Sequence, residues 1–201
     1  MKENQIEEYC QFIRVIQSRI DEHFEKQKEY IHCKEGCAYC CKNGEYPCSE
    51  LEFEFIKLGF MALEKEIQQK IIDKVLKLKA EKAVFTGEKF IYECPFLLDN
   101  KCSIYKYRMI ICRTFGLSYY DKGDEKKKNT LKVPFCMHQG LNYSEVYDPQ
   151  KKTFSTELYK QLGYKNEPMA YNLGVEALME KFGKEIMNLD FGEIKTLLDW
   201  L

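Results

Sequence analysis

The chain has 201 residues, of which 45% are hydrophobic and 31% charged, with a formal net charge of −1, the composition of a soluble globular protein. No apolar run approaches the ~18 residues of a membrane span. The one basic cluster, Lys126-Lys127-Lys128, follows Asp121, Gly123, Asp124 and Glu125, so it reads as a solvated loop tip and nucleic acid is not an expected partner.

The first thirty residues lack the apolar centre of a secretory signal, so a cytoplasmic location is expected. Thiols stay reduced there, so ten cysteines argue for metal ligation over a disulfide framework. By length, residues 1–201 form one domain. It comprises a cysteine core at 33–136, a helical N-terminal segment at 1–32 and a helical C-terminal segment at 148–201.

Residues 4–30 carry Ile6, Cys10, Ile13, Ile16, Ile20 and Phe24 at spacings of three and four, the stripe of an amphipathic helix. Cys10 lies on that stripe and reads as a small core residue. The helix leads into Cys33-Lys34-Glu35-Gly36-Cys37-Ala38-Tyr39-Cys40-Cys41, four cysteines in nine residues. A hydrophobic core has no reason to concentrate thiols in this way, whereas a soft metal ion needs several converging on one point. Separations of two to four residues let a tight turn aim successive sulfurs at one centre, and Gly36 supplies the backbone freedom that turn needs.

After a polar turn at 42–47, Ser49 and Glu52 form a capping box that opens a helix. Leu51, Phe55, Leu58 and Ala62 continue it, Gly59 is a potential break, and Leu63, Ile67, Ile71, Val75 and Leu78 make a longer stripe to about Lys82. Cys48, just before the cap, reads either as a further ligand or as a small residue in the turn. Asp99-Asn100 marks a hairpin turn with Cys94 and Cys102 near its ends. Ser103 caps a short helical run ending near Cys112. Residues 117–120 and 131–135 are β-prone and pair across the charged loop, which puts Cys136 at the end of the returning strand.

Farther on, Ser155 or Thr156 opens a helix closed by Gly163, Pro168 suits the first turn of another, and Asp190 with Glu193 caps a last one. Tyr159, Tyr164 and Tyr171 read as core aromatics. The expected fold is mainly α with a small β-hairpin or sheet element, a cysteine-rich metal-binding domain packed with N- and C-terminal helices.

With these motifs in place, the chain resembles the bacterial and archaeal cysteine-cluster family described as a zinc- or iron-chelating domain. The residues that carry the likeness are Cys33, Cys37, Cys40 and Cys41, then Cys94-Pro95-Phe96, Cys102 with Tyr105, and Cys112-Arg113. It covers about residues 33–136. One departure is Met109, where the family usually has proline, so a straighter helix is expected here. The resemblance implies a bound transition metal, zinc or iron, in some descriptions a 4Fe-4S cluster, and it reaches proteins named as flagellin lysine methylases. A metal ion is the implied partner, with a protein substrate or partner if that naming extends to this chain.

Eight cysteines, Cys33, Cys37, Cys40, Cys41, Cys94, Cys102, Cys112 and Cys136, are the candidate ligands. Adjacent Cys40 and Cys41 point in different directions, so one small tetrahedral centre uses both only with strain. The eight therefore suit two four-thiolate sites or one cluster with spare thiols. Arg108 and Arg113 flank Cys112, where guanidinium groups either stabilise thiolate charge or make ordinary ion pairs. His32 and His138 adjoin the outermost cysteines as ligands or as neighbours of ligands. A structural thiolate site holding the fold together and an iron–sulfur redox enzyme both accord with this pattern.

Overall fold

A computed structural model describes residues 3–34, 36–121 and 130–201; Gly123, Asp124, Glu125 and the lysines at 126–128 lie outside the described residues. In chain order the helices are α1 (Glu3–Lys26), α2 (Tyr39–Lys42), α3 (Glu50–Met61), α4 (Lys65–Ala83), α5 (Ile110–Thr114), α6 (Thr156–Gln161), α7 (Val175–Ala177) and α8 (Leu197–Trp200). The strands are β1 (Pro47–Ser49), β2 (Leu97–Leu98), β3 (Lys101–Cys102), β4 (Tyr119–Asp121), β5 (Thr130–Lys132), β6 (Tyr147–Asp148), β7 (Thr153–Phe154) and β8 (Ile194–Thr196). All pair as two-stranded antiparallel ladders, so the protein is mainly α with small β elements, as expected.

The face that α1 buries keeps Ile13, Ile16 and Ile20 of the aliphatic stripe and widens to take in Tyr9 and Phe12. Tyr9, Phe12, Ile16 and Ile20 are almost wholly buried, while Ile6, Cys10 and Phe24 keep partial exposure. The spacings of three, four and four are helical in either case; the aromatic rings bury more area than Cys10 and take the centre of the stripe.

The chain divides into two compact units, each assembled from separated segments. The first comprises Met1–Cys10, Gly36–Cys112 and Asn188–Leu201. Here Ser49 Oγ accepts from the Glu52 N–H at 3.3 Å while Glu52 Oε2 accepts from the Ser49 N–H at 2.9 Å, the reciprocal capping box expected. Helix α3 runs through Gly59 and ends at Met61. The glycine is there for close packing, since a Cβ at this position would lie 2.6 Å from the Tyr107 ring. The hairpin turns on Asp99 and Asn100 at φ 49° and 58°, the left-handed pair that a two-residue hairpin demands.

Two other expectations do not hold in this unit. The run from Ser103 is broken into a 3-10 turn, Tyr105–Tyr107, and α5, because Arg108 is extended at φ −69° and ψ 155°; the helix is not straighter despite Met109 replacing proline. Asp190 and Glu193 cap no helix. The Asp190 carboxylate accepts from the Gly192 N–H at 3.0 Å, and the chain then pairs as β8 with β1, Cys48 opposite Lys195. Thr196 caps α8 instead. The core of this unit holds Cys48, Ile56, Ile71, Tyr92, Phe96 and Leu198, so Cys48 is a core residue, its thiol donating to the Ser49 carbonyl at 3.5 Å.

The second unit comprises Gln11–Glu35 and Arg113–Met187. Its heart is aromatic: Tyr30, Tyr143 and Val146 are buried, with Phe154, Tyr159 and Tyr164 packed against them. The Tyr30 ring stacks on Tyr143 at 5.8 Å and meets Tyr164 edge-on at 5.0 Å, bearing out Tyr159 and Tyr164 as packing residues. Strands β4 and β5 pair as expected. Ser155 caps α6 through the Leu158 N–H, and Gly163 follows at φ 72°. Pro168 starts no helix; the next begins at Val175 and continues as a π-helix, Leu178–Ile186.

Candidate metal centre

Six of the eight candidate ligands, Cys37, Cys40, Cys41, Cys94, Cys102 and Cys112, belong to the first unit; Cys33 and Cys136 belong to the second. All ten cysteines of the chain are thiols outside any disulfide.

Gly36, at φ 84°, turns the chain so that Cys37 precedes α2, whose first turn carries Cys40 and Cys41. The Sγ atoms of that pair are 4.0 Å apart, near the edge of a tetrahedron with ~2.3 Å zinc–sulfur arms. Adjacent cysteines therefore diverge less than the expectation held. A short helix bends both side chains toward one side, whereas an extended strand would send them to opposite faces.

Separate segments bring Cys94, Cys102 and Cys112 to the same neighbourhood. The Cys94 N–H donates to the Cys41 carbonyl at 2.7 Å, which ties the Cys-Pro-Phe turn to α2. Cys102 sits in β3 opposite Leu97, and all three side chains border the apolar core of the unit. Burial pushes the Cys112 thiol well above its ordinary range, and the charges that Cys94, Cys102 and Cys40 would carry as thiolates push it further. The Cys94 thiol is pushed up to about 12, again chiefly by burial. Cys40 is raised first by its hydrogen bond with Cys41 and then by burial.

Three residues support this cluster that the cysteine pattern did not reveal. The Lys74 ammonium, from α4, donates to the carbonyls of Cys94 at 3.1 Å and Leu97 at 2.7 Å and pairs with Glu93 at 2.6 Å, so it clamps the Cys-Pro-Phe turn. Buried Glu52 uses its second oxygen to accept from the Ile110 N–H at 2.9 Å, anchoring the first turn of the helix that carries Cys112. Tyr46 donates from its hydroxyl to the Cys40 carbonyl at 2.9 Å. Its phenol is raised by burial and then by Cys40, Cys112, Cys41 and Cys94, which places it amid the thiols. Only Glu52 carried a signal in sequence, the capping box, and that accounts for one of its oxygens.

In the second unit, Asn142 is fully buried and accepts from the His32 N–H at 2.8 Å, with the Cys33 thiol at 3.5 Å from the same oxygen. Cys136 is buried in the 3-10 turn Phe135–Gln139. His32 Nε2 lies 3.5 Å from Glu145, and His138 is exposed. Arg113 is buried and donates to Gln17 Oε1 at 2.8 Å. In the first unit, the Arg108 guanidinium stacks 3.7 Å over the Tyr105 ring.

As the side chains stand, no three His, Cys, Asp or Glu groups among the described residues converge closely enough to hold an ion. The donors nevertheless fit a soft metal in kind. They are sulfur atoms, Cys94, Cys102 and Cys112 border the apolar core, and burial disfavours Cys94 and Cys112 as lone thiolates, a cost that a divalent ion offsets when it replaces the protons.

A family model described as "Putative zinc- or iron-chelating domain" matches residues 32–137, more than half of the chain and a span that takes in Cys33 through Cys136. Its short name writes two residues between the first cysteines, where this chain has three between Cys33 and Cys37. No curated protein and no solved structure gives a significant match. The chain belongs to the CxxCxxCC family, whose description is the chelation of zinc or iron.

Proposed function

We propose that the first unit binds zinc or iron through Cys40, Cys94, Cys102 and Cys112, thiolates drawn from the 33–41 turn and the 94–136 region, and that the bound ion holds those segments together. The observation that carries this reading is the half-buried Cys112, packed against the same apolar core as Cys94 and Cys102 and under the electrostatic influence of both and of Cys40. A thiolate-bound ion of this kind supplies cross-linking of the fold.

The surrounding residues set the stage for it. Lys74 fixes the Cys94 backbone and brings a positive charge toward a site that would gather thiolates. Glu52 holds the start of α5, and Tyr46 holds the carbonyl of Cys40. Cys41 and Cys37 flank Cys40 and are the nearest reserve donors, while Cys33 and Cys136 carry the family motif into the second unit.

The test is expression and purification without oxygen, followed by elemental and sulfide analysis of the unaltered chain and of Cys94→Ser, Cys112→Ser and Cys10→Ser. One ion per chain is expected, lost in the first two variants and kept in the third. Stoichiometric zinc without sulfide marks a structural thiolate site. Iron with sulfide and visible absorption bleached by dithionite marks an iron–sulfur cluster on the same cysteines. Full metal content in both Cys94→Ser and Cys112→Ser would overturn the assignment.

A further inference from the structure

In the second unit an irregular segment, residues 165–171, runs past the C-terminal end of α1 and is tied there. Buried Gln27 holds it by two backbone groups, donating to the Glu167 carbonyl at 3.2 Å and accepting from the Met169 N–H at 2.8 Å, and Tyr30 donates from its hydroxyl to the Asn166 carbonyl. At its far end the Tyr171 N–H donates to the Ser118 carbonyl at 3.0 Å, and the Tyr120 N–H donates to the Tyr171 carbonyl at 3.1 Å. One side chain in this arrangement ionises near neutrality. His23, on α1, lies flat on the Tyr171 ring, centroids 3.7 Å apart and planes 25° from parallel, and its Nδ1 is buried with no hydrogen-bond partner.

A neutral imidazole is tolerated in that place. Its one N–H is assigned to Nε2, which is not enclosed, leaving only a lone pair at Nδ1. Protonation puts an N–H there, a buried donor without an acceptor. The charged groups around the ring stand on its own helix: Lys26 and Arg19 oppose a further positive charge, and Glu22, which favours one, is engaged by Lys26 at 2.6 Å. From the facing segment the titratable group is the Tyr171 phenol, which burial keeps neutral beyond its ordinary range. The face of that ring attracts a cation, but burial outweighs it and holds the His23 pKa below 6.5. We infer that His23 is an acid-sensitive latch, which on gaining a proton releases Tyr171 and loosens the 165–171 segment from α1. A ring that binds its proton more weakly in the closed state than in the open one stabilises the closed state fully above pH 6.5 and loses that contribution as pH falls through its own lower midpoint. Glu29, which accepts from the Asn166 N–H at 3.1 Å and the Lys165 N–H at 3.3 Å, is held below its ordinary range by those bonds and stays ionised throughout this window.

Imidazole NMR of the full chain between about pH 7.5 and about pH 5, with amide exchange followed residue by residue, tests this. His23 is expected to titrate below 6.5. Protection of the Met169 and Tyr171 N–H groups, corrected for intrinsic exchange, is expected to fall at least about threefold over that range and to level off below the His23 midpoint. His23→Phe keeps a ring on Tyr171 but has no proton to gain, so the fall should vanish, while Glu29→Gln should leave it in place. A fall that persists in His23→Phe belongs to His32 or His138 and would overturn the inference, as would constant protection in the unaltered chain. So would a His23 midpoint at or above 6.5, because the Tyr171 face would then be holding the imidazolium. If the phenyl ring packs poorly and protection is low at every pH, the unaltered chain decides, since a fall that does not follow the His23 ring signals equally overturns the latch.

Discussion

The two units of this chain are stabilised by different chemistry. The first gathers eight of the ten cysteines, a long helix pair and an aliphatic core; the second holds two cysteines and closes on stacked tyrosines. Tyrosine rings bury area and keep a polar handle without any added ion. Buried thiols make weak hydrogen bonds and become strong ligands only when protons leave. The first unit is thus the one whose stability should depend on what binds it, and the second the one whose stability should depend on its own packing.

The largest separation between them should come from metal removal. A strong chelator under anaerobic conditions is expected to lower the stability of the first unit by on the order of 5 kcal/mol or more, because an ion held by the proposed thiolates would couple its binding to folding there. Hydrogen exchange should report it as lost protection across 36–112, with 140–164 little changed. Equal loosening of both would erase the contrast. Acid acts in the same direction, since thiolate ligands take up protons as pH falls and release the ion.

Next in size is Glu52→Ala, which deprives the Ser49 and Ile110 N–H groups of a buried carboxylate. A loss of about 2–4 kcal/mol is expected from a cap and charged hydrogen bonds combined, read by urea unfolding. Weakened metal retention should accompany it, because α5 carries Cys112. If Glu52→Ala destabilises the fold without changing metal content, the link between the cap and the thiol cluster fails.

A smaller effect, about 1–3 kcal/mol, is expected from Gly59→Ala, whose added methyl must displace the Tyr107 ring. It should leave metal content unchanged.

The second unit is sharpened by alkali. Burial pushes the Tyr143 and Tyr30 phenols up to about 12 from an ordinary 10, so the folded state holds these protons more tightly than the unfolded chain. Their contribution is complete below pH ~10 and is lost as pH rises toward ~12. Tyr143→Phe should flatten that alkaline fall, followed by absorbance of ionised tyrosine alongside unfolding; an unaltered profile would exclude Tyr143 as its source.

The sequence is legible wherever the physics is local. The Ser49–Glu52 box, the Asp99-Asn100 hairpin turn, the Ser155 cap and the long stripe of α4 each depend on residues within a few positions of one another, and each formed as expected. Two of the departures have identifiable causes. Gly59 looks like a breaker because glycine is flexible, but a neighbouring ring required the missing Cβ. Asp190 looks like a cap, but pairing with β1 claimed the residues after it. Arg108 is extended although the helical spacing runs through it.

What the sequence determined by itself is the ligand chemistry and its local spacing: thiols clustered on a turn, a second group around a hairpin and a Cys-Arg pair, enough to establish the family. Tertiary structure alone decided how those thiols are shared out, with Cys37, Cys40, Cys41, Cys94, Cys102 and Cys112 in one unit and Cys33 and Cys136 in the other. It also enlisted Lys74, Tyr46 and the second oxygen of Glu52. Their partners lie in distant segments, and such contacts form only when the apolar core brings separate parts of the chain together, leaving no period or spacing in the sequence to announce them.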